Sequence, residues 1–102
     1  SNPALDKQIG ERAARWHQAV GNQQPVPVEL LTASGSGLDP QISPEAARYQ
    51  ALYIAQARGM SLQQVQQLID RFTETSKPAF IGRPAVNVLL LNLALDKEKP
   101  LP

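Results

Sequence analysis

Three helix starts punctuate this chain, and their spacing limits what it can become. Asn2-Pro3, Ser43-Pro44 and Ser61-Leu62-Gln63-Gln64 each place a capping side chain directly ahead of an apolar repeat. After Asn2, the residues Leu5, Ile9, Ala13, Trp16 and Val20 recur at helical spacing until Gly21 supplies a stop. After Ser43, Ala47, Tyr49, Leu52, Tyr53, Ile54 and Ala57 are available for packing before Gly59. Ser61 with Gln64 forms a capping box, Met60 can staple onto Val65, and Leu62, Val65, Leu68, Ile69 and Phe72 line one face. Only a short turn separates the last two helices, so they are expected to pair as an αα-hairpin.

Between these helices the chain is broken. Asn22 to Pro27 is rich in Gln and Pro, and Val28 to Thr32 is short and apolar between breakers, the pattern of a strand. Ala33-Ser34-Gly35-Ser36-Gly37 is a loop of small residues leading into the turn Leu38-Asp39-Pro40. Thr73 to Pro78 reads as a polar loop, and Ala79-Phe80-Ile81 as a short extended piece before Gly82-Arg83-Pro84. Val86 to Leu95 is the most apolar stretch. Its leucines alternate, yet its composition favours a helix capped at Asn87 and buried on most sides. Asn87 and Asn92 then read as caps or buried hydrogen-bond partners. The expected fold class is α+β, mainly helical, with three to four helices and one or two short strands. A single domain spanning 1–102 fits the length.

Charge and composition exclude several functions. The net charge is +1, with both signs interspersed, so no basic footprint for nucleic acid is present. No cysteine exists, which removes disulfides, thiolate nucleophiles and cysteine-based zinc sites together. The carboxylates form no helical pair joined to a histidine, and no metal site is expected. No run of about twenty apolar residues crosses a membrane. The chain opens at Ser1 without an initiator Met or signal peptide, as a processed piece of a longer protein would.

Catalytic candidates are few. His17 is the one histidine, and with Ser34 or Ser36 and Asp39 it could in principle complete a triad. Gly35-Ser36-Gly37 lacks the spacing of a nucleophile elbow, so no catalytic residue is assigned. The glycines could gather backbone N–H groups into an anion nest. They could equally make a tight connection, because Leu38-Asp39 follows where a phosphate loop has Lys and Ser or Thr.

At this loop the sequence becomes recognisable. Pro27 to Pro44, with Thr32-Ala33-Ser34-Gly35-Ser36-Gly37-Leu38-Asp39-Pro40 at its centre, closely resembles the signature block of the C subunit of bacterial Kdp-type potassium-transporting P-type ATPases. Ser1 to Leu5 resembles the segment before that block, and Gly82 to Asp96 resembles the family's C-terminal block. The resemblance covers essentially the whole chain in order. It implies an N-terminal transmembrane helix that this chain does not contain, and a bacterial inner-membrane protein whose soluble part is periplasmic. It also implies two partners, a channel-like potassium-binding subunit and a P-type subunit that hydrolyses ATP. No cofactor would be held by this domain, since the complex handles ATP and potassium. The family is further credited with aiding nucleotide binding through the stretch at Ser34, Gly35, Ser36 and Gly37. From the outer face, such an effect would have to be allosteric. The leading expectation is therefore a non-catalytic accessory subunit aiding assembly, ion delivery or coupling, with a nucleotide- or anion-binding module as the alternative. Ser34, Gly35, Ser36, Gly37, Asp39 and Arg83 are the candidate contacts, because loops on a rigid scaffold carry recognition.

Overall fold

A computed structural model describes residues 2–32, 41–75 and 83–102. Helix α1 (Pro3–Val20) starts where the sequence caps it: Asn2 Oδ1 accepts from Ala4 N at 3.0 Å and Leu5 N at 3.3 Å. Gly21, at φ 84°, takes the left-handed conformation that ends the helix, returning its N–H to the His17 carbonyl. Residues 2–8 are all exposed, so the predicted stripe packs only from Ile9 onward.

Val28–Leu31 forms a single-turn helix, α2, where a strand was expected. Two long side chains of α1 explain the difference. Arg12 Nη1 donates to the Leu31 carbonyl at 2.8 Å, and Trp16 Nε1 donates to the Leu30 carbonyl at 3.2 Å. They satisfy acceptors that a helix end leaves open, and local propensity cannot foresee them. On the other side Glu29 accepts the Ser43 hydroxyl and, at 3.2 Å, the Ser43 N–H. Ser43 Oγ in turn accepts from Ala46 N at 3.0 Å, so α2 is tied directly into the cap of the next helix.

Helices α3 (Pro44–Arg58) and α4 (Leu62–Arg71) make the expected hairpin, with the Ser61–Gln64 capping box formed in both directions. Gly59, at φ 67°, turns the chain between them. The seam on α3 is Ala47, Ala51 and Ala55, one turn apart and nearly fully buried. Such small side chains let Val65, Leu68 and Ile69 of α4 approach closely. Tyr53, expected inside, is 48% exposed, and Leu62 also points outward at 41%.

A three-stranded antiparallel sheet, with β1 (Gln41–Ile42), β2 (Thr73–Glu74) and β3 (Ala85–Asn87), places β3 in the centre. Gln41 pairs with Asn87 and Ile42 with Val86, while Thr73 and Glu74 pair with Val86 and Ala85. Thr73 and Glu74, expected in a polar loop, are thus strand residues. Strands of two or three residues are too short to show a period-two pattern, which is why they escaped the sequence reading. Val86, fully buried, joins the sheet to the helical core. Helix α5 (Val88–Glu98) follows directly, capped by Asn87, whose side chain accepts from Leu90 N at 3.0 Å. Arg58 Nη1 bridges the end of α3 to Asp96 at 2.8 Å and to the Lys99 carbonyl at 3.1 Å. The mainly helical α+β class is the one observed. The extended piece expected at Ala79-Phe80-Ile81 lies outside the described residues.

Candidate functional site

Ser34, Gly35, Ser36, Gly37 and Asp39 lie outside the described residues, whereas Arg83 is described and exposed. Gln41, the first described residue after that loop, pairs with Asn87 at the far end of β3, and Arg83 stands before its near end. His17 presents Nε2 to the Gln24 carbonyl at 2.9 Å, and because a carbonyl only accepts, that nitrogen carries the proton. Among the described residues, no group of three or more His, Asp or Glu side chains is gathered closely enough to hold a metal. No described helix is long and apolar enough to cross a membrane.

Helix α5 carries the clearest exposed apolar face. Leu91 and Leu95 point inward at 4% and 1% exposure, while Leu89, Leu90 and Leu93 face outward at 60%, 44% and 56%. The expectation of a segment buried on most sides is corrected here. A helix turns 100° per residue, so leucines at 91 and 95 share one side and those at 89 and 93 share another. The core offers a partner only to the first pair, through Val86, Ala55 and α4. Asn92 is exposed as well, not a buried hydrogen-bond partner, and of these two asparagines Asn87 is the cap. Leu89, Leu90 and Leu93 thus form a contiguous apolar stripe on the exposed side of the helix.

A second feature lies between α1, α2 and α3. Arg12, Arg15, Trp16, Leu30, Gln50 and Tyr53 line an open cleft of about 460 Å³. The Trp16 indole is fixed by its bond to Leu30 and by an edge-on contact with the Tyr49 ring, 6.1 Å between centroids. Tyr49 itself is buried, its hydroxyl has no hydrogen-bond partner among the described residues, and burial pushes its phenol pKa up. None of this cluster was singled out from sequence. Arg12, Arg15 and Trp16 do fall at i, i+3 and i+4 on α1, a one-face signal, but Tyr53 reads as a packing residue until the fold turns it outward.

Comparison with known proteins adds an independent line. Residues 1–97 match the family model described as KdpC, K+-transporting ATPase, c chain. A potassium-transporting ATPase KdpC subunit of Pectobacterium atrosepticum is 90% identical over 102 residues, covering 100% of this chain and 53% of the relative. The subunit of the same name from Serratia proteamaculans is 56% identical over 97% of this chain and 53% of its own length. That of Herpetosiphon aurantiacus is 50% identical over 98% and 52%. The chain thus spans about half the length of the relatives it matches. Similarity at this level across nearly every residue leaves one assignment: the chain belongs to the KdpC family, the c chain of K+-transporting ATPases.

Proposed function

We propose that this chain is the partner-docking part of an accessory subunit in an ATP-driven potassium import complex, with no bond-making chemistry of its own. It aids assembly, ion delivery or coupling by seating on the channel-like potassium-binding subunit and the P-type ATPase subunit. In this reading the chain lies on the periplasmic face of the bacterial inner membrane, anchored through the rest of the full-length protein. The supporting observation is the leucine face of α5. Leu89, Leu90 and Leu93 are exposed while Leu91 and Leu95 of the same helix pack into the core, and the family consists of subunits of a larger ATPase by its description. Covering a leucine that stands half exposed stabilises a complex by about 1 kcal/mol, from roughly 25 cal/mol per Å² of apolar surface. Three such residues can therefore decide whether a subunit stays bound.

The test is co-purification of the full-length subunit with its complex. The double substitution L89E/L93E is expected to abolish co-purification, through faster dissociation, while far-UV circular dichroism keeps the helical signal. Retention of the doubly substituted subunit at the unsubstituted level would overturn the reading.

A further inference from the structure

We propose that the cleft between α1, α2 and α3 receives an acidic segment of a partner subunit. An apolar side chain of that segment enters against Trp16 and Tyr53, and a neighbouring carboxylate meets Arg15 and Arg12. The inference rests on the docking reading above and names a contact distinct from the α5 face.

Charge complementarity selects the occupant. Among the described residues, two guanidinium groups line the cleft and no Asp or Glu does. Arg15 makes no hydrogen bond or ion pair with the described residues, among which the ion pairs are Arg48 with Asp70 and Arg58 with Asp96. Arg12 spends one N–H on the Leu31 carbonyl, which holds its planar head in place and leaves further donors for a carboxylate. Beside the two arginines and the amide of Gln50, the lining is apolar (Trp16, Ala19, Leu30 and Tyr53), a poor match for a wholly ionic ligand such as free phosphate. A net charge of +1 gives no long-range field for a nucleic acid backbone. A segment that combines an apolar side chain with a carboxylate matches both halves.

The cleft is also prepared for binding. Trp16 is held from two sides, by the Leu30 carbonyl and by the Tyr49 ring, so little side-chain freedom remains to be lost. Trp, Tyr and Arg are the residue types that carry most binding free energy at protein interfaces. A volume of about 460 Å³ lies within the range that holds a small ligand or an anchoring side chain.

The experiment places a photo-crosslinking benzoyl-phenylalanine at Ala19 or Tyr53, both exposed, in the full-length subunit within the assembled complex. After illumination, the adduct is mapped by mass spectrometry. The expected product joins this subunit to a partner segment with Asp or Glu next to an apolar residue. Arg15→Glu should lower the adduct yield at least tenfold, and Arg15→Lys should keep most of it. Changing the mapped acid to Lys should restore the yield with Arg15→Glu. An adduct confined to this chain or to lipid, or a yield indifferent to Arg15→Glu, overturns the proposal. A complex that co-purifies intact without a cleft adduct removes this site and leaves the docking reading standing. An unsubstituted subunit that fails to co-purify removes both.

Discussion

The two faces of α5 can be separated by one pair of substitutions, Leu91→Ala and Leu93→Ala. Both remove the same atoms from the same helix, two residues apart, and alanine is as good a helix former as leucine or better. Leu91 is 4% exposed and belongs to the cluster with Ala55, Leu68, Ile69 and Val86. Its truncation leaves a cavity and costs about 2–5 kcal/mol. Leu93 is 56% exposed, so less than half of the ~1.5–3 kcal/mol that full burial would bring is at stake, about 1 kcal/mol at most. For a domain of this size, 1 kcal/mol moves Tm by about 4–8 °C. Thermal unfolding followed by far-UV circular dichroism should therefore show L91A melting about 8–40 °C lower and L93A at most about 8 °C lower than the unsubstituted chain. Equal losses, or a larger loss for L93A, would show that the outward leucines belong to the core, and the docking face would vanish with them.

Asn87→Ala should cost about 1 kcal/mol in a urea melt by removing the acceptor for Leu90 N, with Asn87→Asp recovering most of it. Asp96→Ala should cost at most about 1 kcal/mol, because its carboxylate is largely solvated, and that loss should shrink in high salt. Tyr49→Phe should be neutral or stabilising by up to about 1 kcal/mol, since the hydroxyl it removes is buried without a partner among the described residues. The same variant tests a pH dependence. Burial raises the Tyr49 pKa above its ordinary 10.0, so above pH 10 the unfolded chain loses its proton before the folded one. Stability is then complete below that pH and falls as pH rises through the folded value, and Tyr49→Phe should remove that share of the alkaline loss.

What could be read from the sequence was what the chain encodes within one turn. Asn2, Ser43, Ser61 with Gln64 and Asn87 all cap the helices they precede, because a cap needs only a side-chain acceptor and an N–H two or three residues on. Val28–Leu31 was misread for the opposite reason: its carbonyls are satisfied by Arg12 and Trp16, more than ten residues upstream. The direction of α5 was hidden because leucines occupy several sides of the helix, and only the position of Val86 and α4 selects Leu91 and Leu95. Of the candidate contacts, Arg83 is exposed as its turn-forming neighbours suggested, while Ser34 to Asp39 lie outside the described residues. The cleft required the fold itself, since α1 and α3 bring Arg15 and Tyr53 together across 38 positions of sequence.

The two surfaces differ in the physics they offer a partner, and that difference assigns them different parts in binding. The α5 face is apolar and charge-poor, so its contribution should survive high salt and show mainly in the dissociation rate. The arginine-lined cleft is electrostatic, with its charges partly open to solvent, so its contribution should weaken as salt screens it and show more strongly in the association rate. Association of the full-length subunit with its complex, measured at low and high ionic strength, can resolve the two. Arg15→Glu should slow association several-fold at low salt and have little effect at high salt, while L89E/L93E should speed dissociation at both. A salt-independent Arg15→Glu effect would mean that Arg15 contributes through packing alone, and the acidic character assigned to the cleft's occupant would lose its basis.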